Sequence, residues 1–252
     1  MEDRSPLAVF MLGIGDFFSK KYYHAGFVLF LDGFPVMVDC QDHLPKVIHE
    51  ACIKSGIDFS LDNLDHIILT HLHGDHSNGL ECLGFYNFYI RKKKPVIYTI
   101  PEVKEVMWDQ KLKAAMGPKT DENFKETGEM SMDDFFQVKT LSENEPNHIL
   151  GMKLEIRRTK HYVPCFGLKA EFQGRKLGYS SDTAFDPGHI EFLSDCDLIL
   201  HETNKGGHTK YEKLASLPED IKKKMLLVHI WDEFDPATSD MRVAEEGYVY
   251  YV

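Results

Sequence analysis

Short β-type apolar runs alternate with helix-type stretches along the chain, the pattern of a layered α/β domain. The first half begins with the strand-like run LAVFML and the turn Gly13-Ile14-Gly15. AGFVLFLDG and FPVMVDC read as two further strands around a turn at Asp32-Gly33. A helix follows through about Pro45–Ser55, and the apolar run HIILT leads into HLHGDH. Beyond it, PVIYTI reads as a strand and PEVKEVMWDQKLKAAM as a helix, whereas the polar stretch GPKTDENFKETGEMSMDD is expected to loop. In the second half MKLEIRRTK alternates apolar and polar positions, and GLKAEFQ and KLGYS form a hairpin about Gly174. DLIL and MLLV are short apolar strands, and Ser216-Leu-Pro-Glu219 has the form of a capping box that predicts a helix before MLLVH.

The polar residues that end these strands form a pattern of their own. His71 follows IILT, His161 follows EIRRTK, Asp182 follows KLGYSS, His201 follows DLIL and His229 follows MLLV. Strand ends of a layered α/β fold open onto a common rim, so side chains far apart in sequence can converge there. HLHGDH adds three imidazoles and a carboxylate within six residues: His71, His73, Asp75 and His76. These donors suit Zn²⁺, Mn²⁺ or Fe²⁺, whereas Mg²⁺ prefers oxygen alone. A mere surface histidine patch would not explain the second set of polar residues waiting at the strand ends.

Composition narrows the setting. The 252 residues can bury a large core as one domain, 1–252, and the 43% hydrophobic and 27% charged fractions are those of a globular protein. No apolar run approaches the roughly 18–20 residues of a membrane span. The N-terminal MEDRSPLAVFMLGIGDFF lacks a basic leader and a small-residue cleavage site, so a cytoplasmic protein is expected. Cys40, Cys52, Cys82, Cys165 and Cys196 are scattered and without a CxxC pair, which reads as reduced thiols; Cys165, four residues past His161, is expected to pack. The net charge of −11 disfavours an extended nucleic acid, since Arg91–Lys94 and Lys222–Lys224 are the only basic runs. The aromatic residues before the first of these, Phe85 to Tyr89, are expected in the core of a helix.

His71-Leu-His73-Gly-Asp75-His76 resembles the HxHxDH signature of the metallo-β-lactamase superfamily, and the chain looks closest to its ribonuclease Z-like phosphodiesterase branch. Leu12-Gly13-Ile14-Gly15 is similar to that branch's N-terminal turn, Asp39 to the aspartate closing its early strand, and Asp75-His76-Ser-Asn-Gly79-Leu80 to its DHxxGL. Ser181-Asp182-Thr183 resembles its bridging-aspartate segment and His201-Glu202-Thr203 its HEAT motif, from which Asn204 departs. The resemblance implies an α/β fold, a four-layer αββα sandwich, with two divalent metal ions, zinc first and manganese or iron as alternatives. It implies His71, His73 and His161 around one ion, Asp75, His76 and His229 around the other, and Asp182 bridging them. Two such ions share a hydroxide and stabilise an in-line displacement at phosphorus. His201 and Asp75 are then the expected catalytic residues, His201 binding the phosphoryl oxygens or protonating the leaving alkoxide. Asp39 and Glu202 are candidates to orient ligand imidazoles, and His208, on a glycine loop, to reach substrate. His24, His43, His49, His66, His148 and His189 are expected to be structural.

The function implied is hydrolysis of a small phosphodiester: a cyclic nucleotide, a small oligonucleotide or an RNA end. The glycine- and proline-rich arm with which tRNA-processing members grip their substrate has no counterpart in the sequence. A diiron protein that binds or senses oxygen, a lactonase or thioesterase, and a non-enzymatic sensor share the fold and stand as alternatives, although oxygen-reducing relatives carry glutamate where this chain has His73. A homodimer is compatible with the sequence, and no membrane partner is expected.

Overall fold

The computed structural model describes residues 5–252; residues 1–4, which entered the reading of the N-terminus, lie outside the described residues. The strands run in chain order as β1 (Leu7–Gly13), β2 (Gly26–Leu31), β3 (Phe34–Val38), β4 (His66–Ile68), β5 (Val96–Thr99), β6 (Pro118–Thr120), β7 (Glu126–Glu129) and β8 (Gln137–Thr140). They continue as β9 (Asn147–Ile149), β10 (Met152–Arg158), β11 (Phe166–Phe172), β12 (Arg175–Tyr179), β13 (Leu198–Glu202), β14 (Met225–Val228) and β15 (Val249–Tyr251). Two large sheets result, ordered β15-β1-β2-β3-β4-β5-β8 and β14-β13-β12-β11-β10-β9.

Each sheet begins as an antiparallel meander and then turns parallel. In the first, β1 to β3 pair antiparallel while β4, β5 and β8 add in parallel. In the second, β9 to β12 are antiparallel, and β13 and β14 join in parallel. Parallel strands align their carboxyl ends on one edge, which is where ligands gather in such sheets. Asp39 follows β3, the HLHGDH loop follows β4, Asp182 follows β12, and His229 follows β14.

The sheets face one another through Phe27 of β2 and Tyr179 of β12, whose rings meet edge to face at 5.0 Å. β1 is buried along its whole length, as its unbroken apolar run requires, whereas β10 alternates buried and half-buried positions. Helices cover the outer faces. Leu44–Ser55 turns Leu44, Val47, Ile48 and Ala51 inward and stops at Gly56, which takes a left-handed φ of 73°. Pro187–Leu193 lays Leu193 over Gly178 of β12. The order is helix, sheet, sheet, helix, the αββα sandwich of the metallo-β-lactamase fold, and one continuous apolar core runs through it.

Three local expectations fare differently. The polar stretch after Met116 contains a small exposed hairpin, β6 with β7, where a loop was expected. Ser216 does not cap a helix: its hydroxyl donates back to the Lys213 carbonyl, closing the turn Tyr211–Ala215, and the helix Glu219–Lys222 starts after Pro218. Phe85 and Phe88 do pack inward, against Phe135, while Tyr89 stays 58% exposed. Among the described residues no helix is long and apolar enough to cross a membrane.

Candidate metal centre

Three imidazoles converge first. His71 Nε2 lies 3.2 Å from His73 Nδ1, and His161 Nε2 lies 3.1 Å from that same atom. A ring nitrogen offers one in-plane proton or lone pair, so His73 Nδ1 can make at most one well-aligned hydrogen bond to its two neighbours, and three nitrogens converging in this way suit a shared cation. Four ligands at zinc-nitrogen distance on a tetrahedral ion stand roughly 3.3 Å apart. The Asp182 carboxylate completes this group, with Oδ2 at 3.7 Å from His71 and 3.9 Å from His161.

The second group shares that carboxylate. Asp182 Oδ1 stands 3.3 Å from His76 Nε2 and 3.6 Å from His229 Nε2, and Asp75 Oδ2 stands 3.4 and 3.1 Å from the same two nitrogens. Asp182 therefore presents one oxygen to each cluster. Two of the polar atoms in this arrangement, His76 Nε2 and Asp182 Oδ1, are buried without a hydrogen-bond partner among the described residues. Buried polar groups are rarely left so, and divalent cations with nitrogen and oxygen preference fit the donor set. The structure thus brings His71, His73, Asp75, His76, His161, Asp182 and His229 together in groups whose donor atoms lie close enough to hold metal ions, and Asp182, His208 and His229 form a further such group at the mouth.

Electrostatics divides the imidazoles. Burial opposes a charge on His76 and His229, yet Asp75 and Asp182 outweigh it and hold both upward, His229 to about 9. Burial and neighbouring imidazoles push His71 well below its ordinary value and His161 down to about 4, against the pull of Asp182. Despite their burial, Asp75 and Asp182 are kept ionised by the surrounding histidines. Protons and metal ions compete for the same lone pairs here, so ion binding weakens in acid.

Behind the ligands lies a built hydrogen-bond frame. His76 Nδ1 meets Asp39 Oδ2 at 2.8 Å, while Asp39 Oδ1 accepts from the Thr70 backbone N–H and hydroxyl at 2.9 and 2.8 Å. The Tyr179 hydroxyl, from the other sheet, donates to Asp39 at 3.3 Å. Asp39 adopts a φ of 61°, a conformation costly for a non-glycine residue that these bonds compensate. Cys165 packs behind the centre as expected, its thiol 3.3 Å from the Ser181 hydroxyl and pushed by burial up to about 12.

His201 is not where it was expected. Neighbouring residues of a strand face opposite sides of the sheet, and in β13 it is Glu202 that faces the centre. Glu202 Oε1 accepts from the Thr183 backbone at 2.7 Å and pairs with His208 Nδ1 at 3.0 Å, while Oε2 lies 3.9 Å from His229 Nδ1. His201 faces away: it is 1% exposed, its Nδ1 is bonded to the Glu202 carbonyl at 2.7 Å, and burial lowers it to about 4. The histidine at the mouth is His208, its ring 5.2 Å from His229 and 5.8 Å from His161. Its burial is outweighed by Glu202 and Asp182, which raise its basicity.

Other residues at the centre carried no signal in the motifs. Tyr162 is 83% exposed and lies 4.8 Å from the rings of both His73 and His161. Phe17 lies over Gly74 of the HLHGDH loop, where an added Cβ would come within 2.7 Å of its ring, and it stacks on His24. Asn204, the departure from the HEAT pattern, donates to Asp16 Oδ2 and to the His229 carbonyl, both at 3.0 Å. His189 is buried in the layer behind β12 and is structural, as expected.

Residues 7–250 match the family described as Anti-Pycsar protein Apyc1. A protein of that name from Paenibacillus sp. (strain J14) is 32% identical over 252 residues, covering 95% of this chain and 97% of the relative. Its counterpart from Bacillus phage BSP38 is 28% identical and covers 95% and 96%. Among solved structures, the metallo-β-lactamase fold protein YhfI of Bacillus subtilis superposes with a TM-score of 0.75 at 16% identity, covering 97% of this chain and 99% of its own.

Proposed function

Because the chain belongs to the Anti-Pycsar protein Apyc1 family, we propose that it opens the ring of a cyclic nucleotide by hydrolysing its phosphodiester. The chain is a metal-dependent hydrolase. The observation that carries the phosphodiester reading is the Glu202–His208 pair set beside the two ligand clusters, in the cavity that His229 also lines. An alkoxide leaving from phosphorus needs a proton, and a positioned imidazolium supplies it.

Two divalent ions, zinc first because most donors are imidazole nitrogens, would sit between Asp182 and the two histidine groups, lowering the pKa of bound water and stabilising charge at phosphorus. The protein's own residues do the rest. Glu202 accepts the Nδ1 proton of His208, which leaves Nε2 as the free nitrogen at the cavity. Protonated, Nε2 donates to the leaving sugar oxygen; the charge remaining on the ring before transfer is balanced by Glu202. Asp39 and Thr70 fix the ring of His76, and Asn204 fixes the main chain of His229.

A small substrate is supported by the mouth itself. The cavity measures about 520 Å³, within the range of small-molecule sites, and its rim carries Asp232 and Glu233 as well as lysines. Such a rim does not track a polyphosphate chain. The five cysteines are unpaired, which supports a reducing, cytoplasmic setting. The test is incubation of the metal-loaded protein with 3′,5′-cyclic nucleotides and chromatography of the products. Linear nucleotide monophosphates are expected; untouched cyclic nucleotides alongside cleavage of a lactone or thioester would reject the reading.

A further inference from the structure

The cavity extends past the metal ligands into a slot with aromatic walls. Phe17 and Phe18, 47% and 82% exposed, line it together with Trp231. Resting on the cyclic-nucleotide reading, we propose that this part of the cavity is the nucleobase subsite, with the base packed against Phe18 and Trp231 while the cyclic phosphate meets the metal centre.

The walls are held rather than loose. Buried Asp16 accepts the Phe18 backbone N–H through Oδ1 at 3.0 Å, and Oδ2 takes the Asn204 amide that also grips the His229 carbonyl. The Phe17–Phe18 turn is therefore fastened to a metal ligand. A second staple joins it to the loop that carries Trp231. Asp232 accepts from the Ser19 hydroxyl at 2.6 Å and from the backbone N–H groups of Lys20 and Lys21 at 2.9 and 3.2 Å. The two aromatic segments are thus tied to each other before any ligand arrives. Lys205 lies over the Trp231 ring at 5.2 Å and is itself held by Glu233. It occupies one face of the indole and enriches the slot in the cation and π surface that bases favour.

Chemistry selects a base over other occupants. An exposed phenylalanine on a braced turn gains nothing from solvent, and stacking on a flat heteroaromatic ring removes its face from water. His208 and His229 line the same cavity as these aromatics, so a ligand whose phosphate meets the metal centre has room to place its base against them.

The test compares substrates with and without a base. Wild-type protein, Phe18→Ala and Phe18→Tyr would be assayed on a purine 3′,5′-cyclic nucleotide and on an abasic ribose 3′,5′-cyclic phosphate. Phe18→Ala should raise KM for the base-bearing substrate about 10-fold, the scale of one lost stacking contact, with far less effect on the abasic one. Phe18→Tyr should restore the wild-type value. Independently of turnover, titration with the nucleoside monophosphate should quench tryptophan fluorescence, and Trp231→Phe should abolish the quenching, since Trp108 is packed on Phe135 away from the slot. An equal KM change on both substrates, or none, would overturn the subsite, as would an unquenched wild type. So would a smaller assembly of Phe18→Ala than of the wild type with KM unaltered, which would make the aromatic turn a contact between copies. A wild-type protein that cleaves neither substrate would instead remove the phosphodiesterase reading, and this inference with it.

Discussion

The metal centre has a closed face and an open one, and they are built in opposite ways. On the closed face, Asp39, Thr70, His76 and Tyr179 are fully or nearly fully buried and linked by short hydrogen bonds from both sheets. On the open face, Phe17, Phe18, Tyr162 and His208 keep solvent exposure and stand on turns or a glycine loop. A low-dielectric frame holds ligand rings in one orientation, whereas accessible groups can meet a substrate and exchange protons. Changes on the closed face should therefore appear first in metal content and stability, and changes on the open face in turnover.

The largest effect belongs where the two faces meet. Asp182→Ala removes the carboxylate that serves both clusters, and it should strip the ions and take phosphodiesterase activity to background, checked by elemental analysis beside the rate. A surface change such as Asp220→Ala should do neither.

Next, the open face is set against the closed one by two histidines of the same segment. His208→Ala should keep its metal yet slow turnover by about 10²–10⁴-fold on alkoxide leaving groups, with a smaller loss on nitrophenolate esters. His201→Ala should keep both metal and rate and lower the thermal midpoint instead. Because His201 is held neutral with a pKa near 4, its contribution to stability is full above pH 6.5 and is lost as pH falls toward 4. A rate loss in His201→Ala with the fold intact would break the comparison.

Those two histidines also mark what could be read from the sequence. The HLHGDH group was legible because its donors are contiguous, and His161, Asp182 and His229 because each ends a strand on the same edge. Which of His201 and His208 stands at the mouth was not, since the motif names a strand end without saying which parity faces the centre. A strand reverses face at every residue, and here Glu202 turned inward and took His201 outward. The Asp16–Asn204 contact joins residues 188 positions apart, and the Phe17–Phe18 turn reads as an ordinary apolar pair until Asp232 ties it to Trp231. The sheet meanders were readable from apolar runs, while the small hairpin after Met116 was not, because none of its positions is buried.

A gentler change sharpens the closed face. Asp39→Asn keeps the shape but loses the charge that orients His76, and it should weaken metal affinity about 10–100-fold with kcat of the fully loaded enzyme little altered. Competition with a chelator would measure it; unchanged affinity would reduce Asp39 to a turn residue.

The smallest expected effect lies at the root of the open face. Glu246 accepts the Tyr23 backbone N–H at 2.6 Å, and burial raises its carboxyl to about 7. The folded state thus favours the protonated acid, so stability falls as pH rises from about 4.5 through 7 and the cost is full above that. Glu246→Gln should raise the thermal midpoint at pH 8 by about 2–4 °C and leave it unchanged at pH 4. Equal shifts at both pH values would show that the carboxyl does not titrate in this window.

The central claim is that one carboxylate, Asp182, joins two ion sites into a single hydrolytic centre. Elemental analysis and cyclic-nucleotide hydrolysis on the same sample, before chelation, after it, and after stepwise return of zinc, test it most directly. The account predicts close to two divalent ions per chain, with activity lost on their removal and regained only as the second ion returns. Full hydrolysis by a chain holding one ion or none would contradict it, as would two bound ions with no phosphodiester cleaved.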